Sequence, residues 1–80
     1  MNALKLKGFR VSKGKTQRDV SEIIEKSLDS YAKKERGEFE FTLNEIVAIA
    51  IGLDMNFGEF NAIFFDGKLP YSNIPSNDGK

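Results

Sequence analysis

The chain contains no cysteine and no histidine, and among its 80 residues it has no tryptophan and two prolines. Without cysteine it can form no disulfide and supply no thiolate nucleophile. Without histidine it lacks the commonest general base and the usual zinc ligand sets. No other pair of nucleophile and base suggests itself in the sequence. We therefore predict that the protein is not an enzyme, uses no cofactor and no metal, and takes no small-molecule substrate.

Long apolar runs are also missing. The N-terminal stretch alternates lysine with apolar residues and resembles no signal peptide, and no later stretch approaches the roughly 20 apolar residues of a membrane span. We therefore predict a cytoplasmic protein with no membrane partner. A chain of this length can build one small core. Turn-forming residues and both prolines lie near the end, so we predict one domain over residues 1–65 and a flexible tail over residues 66–80.

Charge is balanced overall but unevenly placed. Residues 1–36 carry ten Lys or Arg and five acids, a net charge of +5, whereas residues 37–80 carry two Lys and seven acids, a net charge of −5. A basic half favours a polyanionic partner even in a neutral chain, because a partner contacts only one face. Chance clustering of lysines is the alternative explanation.

Apolar spacing and capping residues predict five helices. The first helix contains Leu6 and Phe9 and ends at Gly14. The second spans about residues 17–24 behind the cap Thr16, and the third begins at the cap Ser27 and stops at Gly37. The next stretch, "EFEF", alternates as a strand does but has no partner, so we interpret it as an extended linker.

Two capping boxes, Thr42 with Glu45 and Asn56 with Glu59, predict the starts of the fourth and fifth helices. We expect two outward positions in the fourth helix, Ala48 and Ile51. Its buried positions should be Leu43, Ile46, Val47, Ala50 and Leu53.

The second and third helices are separated by about three residues, and the third is polar and basic. This is the description of a helix-turn-helix, in which the second helix of the pair enters the major groove of DNA. The run "TQRDVSEIIEKSLDSYAKKERG" resembles the helix-turn-helix of the Cro/C1-type (XRE) repressor family, and the resemblance extends over about residues 6–65 through "LKGFRVSKGKTQ" and "FTLNEIVAIAIGLDMN". Within this family, the sequence most resembles small phage or prophage repressors of low-GC Gram-positive bacteria.

The resemblance implies an all-α, five-helix, lambda-repressor-like domain with its helix-turn-helix at helices 2 and 3. It also implies a repressor, a sequence-specific regulator of transcription that binds a pseudo-palindromic operator in double-stranded DNA as a homodimer. Five positions depart from the family pattern. Glu25 replaces the usual turn glycine, Lys26 an apolar residue and Leu28 a polar side chain that reads bases. Lys15 and Lys34 stand at positions that are often apolar.

The resemblance also implies which residues meet DNA. Gln17 would meet a phosphate at the start of the second helix, while Leu28, Asp29 and Lys33 share the side of the third helix opposite Tyr31 and would read base edges. An ordinary surface ion pair is the alternative for Asp29 and Lys33. The other implied contacts, to the DNA backbone, are Ser27, Ser30, Lys34 and Arg36.

Two further sets of residues have structural roles. The resemblance implies an ion pair between Arg10 and Glu35 that fixes the third helix to the first. The aromatic end of the chain either completes the core or forms a dimer interface. We expect Phe60 and Ile63 in the core, and the predicted dimer interface consists of Ile51, Phe57, Phe64 and Phe65.

The rival interpretation is a protein-binding module, in which a helix-turn-helix fold contacts a partner protein as an antitoxin or antirepressor component does. The zero net charge and the apolar Leu28 favour this alternative, and the basic N-terminal half opposes it.

Overall fold

A computed structural model describes residues 1–70 of the chain, and these residues form five helices and no strand. The helices are α1 (Ala3–Ser12), α2 (Gln17–Ile23), α3 (Leu28–Glu35), α4 (Leu43–Gly52) and α5 (Phe57–Phe64). The prediction of an all-α fold with five helices is therefore confirmed. Most of the predicted tail, residues 71–80, lies outside the described residues.

Each helix starts behind a residue whose side chain accepts a hydrogen bond from a backbone N–H three residues later, which satisfies one of the unpaired donors of the first turn. Thr16, Thr42 and Asn56 form full capping boxes, since the acidic side chain three residues on accepts from the cap's own N–H. The predicted starts at Thr16, Ser27, Thr42 and Asn56 are thus confirmed. Asn2 caps α1 in the same way.

The helix ends use left-handed backbone. Gly14 follows α1 with φ 71° and Gly37 follows α3 with φ 86°, as their positions in the sequence predict. After α2 and α4 the same conformation falls on non-glycine residues, Glu25 (φ 58°) and Asp54 (φ 56°). A side chain in this conformation costs about 1 kcal/mol or more. The connection between α2 and α3 is therefore strained at Glu25.

One core joins all five helices. It consists of Leu6, Val20, Ile24, Tyr31, Ile49, Leu53, Ile63 and Phe64. Phe41, in the linker before α4, lies between two of these rings, with its centroid 6.0 Å from that of Tyr31 and 5.9 Å from that of Phe64. The N–H of Asn2 donates to the C=O of Ile63 over 2.7 Å and so joins the start of α1 to α5.

The buried side of α4 differs from the predicted one. Leu43 is 66% exposed and Val47 is 43% exposed, whereas Ile49 is fully buried. The reason is that Glu45, one turn before Ile49, is drawn inward by hydrogen bonds from Lys34 and from the N–H of Thr42. The core therefore receives Glu45, Ile49 and Leu53, one turn apart, and the side with Leu43, Val47 and Ile51 faces outward.

The aromatic end also differs in part. Phe64, predicted in the dimer interface, is 6% exposed and packs against Phe41 and Phe60 inside the monomer. It therefore presents no surface to a partner in this structure. Beyond α5, the side chain of Asn61 both donates to and accepts from the backbone of Leu69, so the first residues of the predicted tail are attached to the helix.

We predict that Glu25→Gly raises the free energy of unfolding by up to about 1 kcal/mol, because glycine adopts φ 58° without the steric cost of a Cβ atom. Glu22→Gly, one turn earlier and inside α2, is the matched control. It should lower the same quantity by about 0.5–1 kcal/mol, since glycine is unfavourable within a helix. Urea denaturation of both variants measures the difference. A destabilised Glu25→Gly protein would contradict the strain at this turn.

Candidate functional site

Backbone hydrogen bonds fix the connection between α2 and α3. The N–H of Glu25 donates to the C=O of Glu22 over 3.1 Å, and the N–H of Lys26 donates to the C=O of Ser21 over 2.9 Å. Both belong to the closing turn of α2, which places Ser27 directly at the start of α3. The hydroxyl of Ser27 then accepts from the N–H of Ser30 at 3.1 Å. The start of α3 therefore has a set position relative to α2.

The carboxylate of Glu35 anchors the other end of α3. Its Oε1 accepts from Arg10 Nε at 2.7 Å and from the Tyr31 hydroxyl at 3.0 Å. Its Oε2 accepts from Gln17 Nε2 at 2.7 Å and, more weakly, from Arg10 Nη2 at 3.4 Å. The ion pair expected between Arg10 and Glu35 is present, and it is the centre of a larger network that joins α1, α2 and α3.

The protonation states match this arrangement. Burial tends to raise the pKa of Glu35, but the hydrogen bonds from Arg10, Gln17 and Tyr31 outweigh burial and hold that pKa below its ordinary value. Burial, together with the negative charge of Glu35, raises the pKa of Tyr31, so its hydroxyl stays protonated and donates. At neutral pH the network is therefore an anion surrounded by donors.

A second ion pair holds α3 to α4. Lys34 Nζ lies 2.7 Å from Oε1 and 2.8 Å from Oε2 of Glu45, and both side chains are mostly buried. Burial tends to raise the pKa of Glu45, but the bonds from Lys34 and from the N–H of Thr42 hold it below its ordinary value. Lys34, predicted to contact the DNA backbone, is thus bound within the protein.

The opposite side of α3 faces solvent. Ser27, Leu28 and Asp29 are exposed, and Ser30 and Lys33 are half-buried. Leu28 is 37% exposed, a substantial apolar surface at the first position of the helix. Lys33 Nζ lies 3.1 Å from Asp29 Oδ2, so the predicted i,i+4 pair is formed.

The remaining predicted contacts have partners in the protein. Arg36, exposed at the end of α3, pairs with Glu38 through Nε and Oε2 at 2.6 Å. Gln17 is half-buried and its amide donates to Glu35. The structure therefore leaves Asp29 and Lys33 together on one accessible side and Leu28 accessible in a separate cleft, while Gln17 and Lys34 act as internal ties.

Three cations that our sequence analysis did not assign lie beside this side of α3. Lys7, Lys15 and Arg18 line one cleft together with Leu28, at the junction of α1, α2 and α3. None of the three forms an ion pair with a carboxylate in residues 1–70. Lys15 and Arg18 belong to the basic run "KGKTQR", which was the signal in the sequence for these two cations. The unpaired positive charge of this region therefore lies next to the start of α3.

The residues predicted for a dimer interface belong to α4 and to α5 with its C-cap. Ile51 is 75% exposed, and Phe57 and Phe65 are half-buried. Ile51 and Phe57 share a shallow cleft between α4 and α5 with Val47 and Phe60.

Among residues 1–70, no group of three or more acidic side chains is placed to hold a metal ion. No helix in the same region is long and apolar enough to cross a membrane.

Comparisons of the chain with protein-family models, with curated proteins and with solved structures gave no match.

We predict that Glu35→Gln lowers the free energy of unfolding at neutral pH by about 3–5 kcal/mol, because it leaves Arg10 buried without its anion. A carboxylate with a lowered pKa stabilises the fold above its unfolded pKa, and that contribution is lost as pH falls through the folded value. The wild type should therefore lose stability as pH falls below about 4.3. The variant should show a shallower loss, measured by denaturation across this range.

Tyr31→Phe is the milder control. It removes one donor to Glu35 and keeps the ring in the core, so we expect a loss of about 0.5–1.5 kcal/mol at neutral pH. The pH profile should lie between those of the wild type and Glu35→Gln, because Arg10 and Gln17 still hold the pKa of Glu35 down. Equal stabilities of Glu35→Gln and the wild type at neutral pH would refute the anchoring role.

Proposed function

We propose that this protein is a cytoplasmic, sequence-specific regulator of transcription. It binds double-stranded DNA through a lambda-repressor-like helix-turn-helix at α2 and α3 and acts as a repressor of phage or prophage type. The observation that carries the proposal is the two-sided character of α3. Its inner side is tied down by Tyr31, Lys34 and Glu35, and its outer side is open. A helix that enters a groove needs both properties.

The charge distribution supports the same proposal. Lys7, Lys15 and Arg18 have no carboxylate partner in the described residues and line a cleft that includes Leu28. Phosphate contacts supply most of the affinity of DNA-binding proteins and position the protein on the duplex. In this proposal the three cations contact a DNA strand at the edge of the groove that receives α3.

In this proposal, accessible side chains of α3 read the base sequence of the DNA. Lys33 can donate to guanine O6 and N7, Asp29 can accept from cytosine N4, and Leu28 can contact a thymine methyl group. In the free protein Lys33 and Asp29 are paired with each other. An exposed i,i+4 pair contributes only about 0.3–0.5 kcal/mol, so binding can open it at little cost.

We further propose a homodimer, formed through Ile51, Phe57 and Phe65. A two-fold axis at the α4–α5 end would place two copies of α3 about 34 Å apart, on successive major-groove turns of a pseudo-palindromic operator. The exposure of Ile51 supports this choice, since nothing in the described residues covers it.

A protein-binding module is the second candidate. The observation that favours it is the neutralisation of α3 in the free protein: Lys33, Lys34 and Arg36 each pair with a carboxylate. In that case the exposed Leu28 would contact an apolar site on a partner protein.

Selection of duplexes from a random pool tests the proposed function. We expect enrichment of an inverted repeat, and an affinity for the selected duplex whose logarithm falls linearly with the logarithm of salt concentration, because bound phosphates release counterions. A pool with no enriched sequence, together with binding that does not respond to salt, would favour the protein-binding module.

Lys33→Ala tests the base-reading role. It should reduce the affinity for the selected duplex by about 1–3 kcal/mol and relax the preference at one base position. Lys68→Ala is the matched control, because Lys68 lies beyond α5 in the acidic half of the chain, and it should leave affinity and preference unchanged. Equal losses in the two variants would show that Lys33 contributes only general positive charge.

A further inference from the structure

Leu4, Gly8 and Val11 form an exposed strip along α1, here called the α1 groove because the glycine leaves a gap between the two larger side chains. Leu4 is 82% exposed and Val11 is 57% exposed, although both are apolar. Leu4 lies one turn before Gly8 and Val11 lies one turn after it, on the side of α1 opposite Leu6 and Arg10. Gly8 is exposed, so the backbone of α1 is open to an approaching helix at this point.

Gly8 has no role within the monomer. A Cβ atom built there meets no atom within 4 Å, and Gly8 has helical backbone without positive φ. Glycine is the least favourable helix residue after proline, so the fold alone would favour almost any other residue. In Gly52, by contrast, a Cβ atom would lie 2.7 Å from Ile23 Cδ1, which gives that glycine a packing role.

The exposed side of α4 has the complementary shape. Leu43, Val47 and Ile51 form a ridge with one residue per turn, and none of the exposed residues of α4 is charged. The ridge is about 12 Å long, against about 10 Å from Leu4 to Val11. With the two helices side by side, the central Val47 would lie over Gly8, between Leu4 and Val11.

Charge selects the pairing of these two surfaces. α1 carries exposed Lys5 and Lys7 and no acid, so two α1 grooves would repel each other. The α4 ridge ends beside Asp54, which lines the same cleft as Val47 and Ile51, is exposed and forms no ion pair in residues 1–70. A basic groove and a ridge with an acidic end attract each other.

We propose that copies of this chain associate head to tail, with the α4 ridge of one copy in the α1 groove of the next. The contact joins two different surfaces, so each added copy leaves one groove and one ridge open and the assembly lengthens with concentration. Ile51 belongs to the ridge and also to the two-fold interface proposed above. A given copy can therefore use its α4 either for the head-to-tail contact or for the two-fold contact, but not for both.

Analytical ultracentrifugation of the full chain without DNA tests the association, independently of the proposed function. The average mass of the 9.0 kDa chain should rise with concentration and pass that of a dimer without a plateau. Gly8→Gln should raise Tm, because the open position accepts a better helix former, and should weaken association by about tenfold or more. Glu22→Gln changes an exposed residue of α2 and is the control, which should leave association unchanged.

Mixing two variants distinguishes this contact from a two-fold one. Leu4→Gln removes part of the groove and Ile51→Gln removes part of the ridge, without adding a charge. Each variant alone should associate weakly, and an equimolar mixture should form a dimer from one copy of each, because one intact groove and one intact ridge remain. A wild type that stays monomeric at high micromolar concentration would overturn the proposal. So would a Leu4→Gln variant that associates as the wild type does, or a mixture with no gain in association.

Discussion

The carboxylate of Glu35 is the constraint on which the rest of this small protein depends. It receives donors from three helices, through Arg10, Gln17 and Tyr31. A buried anion without these donors would be costly, so the three helices must keep the relative positions that bring the donors together. The network thus fixes the arrangement of the three helices. Its net contribution to the free energy of unfolding is small, since desolvation offsets much of its electrostatic gain.

The position of α3 follows from this constraint. Glu35 fixes its last turn against α1 and α2, and Lys34 fixes the neighbouring side against α4 through Glu45. Both ties use the inner side of the helix, and helical spacing places Asp29 and Lys33 on the other side. Leu28 precedes Glu35 by two turns and lies on the same side of the helix as Glu35, but at the first position of α3 it is still 37% exposed. The ties on the inner side therefore leave Asp29 and Lys33 accessible.

Local features of the fold could be predicted from the sequence, whereas features that depend on distant partners could not. Helix starts at Thr16, Thr42 and Asn56 depend on residues three positions apart, and the stops at Gly14 and Gly37 on single residues. The orientation of α4 could not be predicted, because residues 46–51 are all apolar and show no period.

The candidate site shows the same limit. The pairing of Glu45 with Lys34 joins residues eleven positions apart on different helices, and it decides which side of α4 is buried. The amide of Gln17 finds its acceptor eighteen positions away, so its internal role was invisible in the sequence. By contrast, the Asp29 and Lys33 pair lies within one helix and could be predicted from spacing alone.

The hydrogen bond from the N–H of Asn2 to the C=O of Ile63 has a consequence for how the molecule opens. It joins the start of the first helix to the last helix. Fraying of the first turn of α1 must break this bond, which adds about 0.5–1.5 kcal/mol to its cost. Arg10 lies two turns further along α1, so the bond also reduces the terminal fluctuations that would reach the guanidinium of the central network.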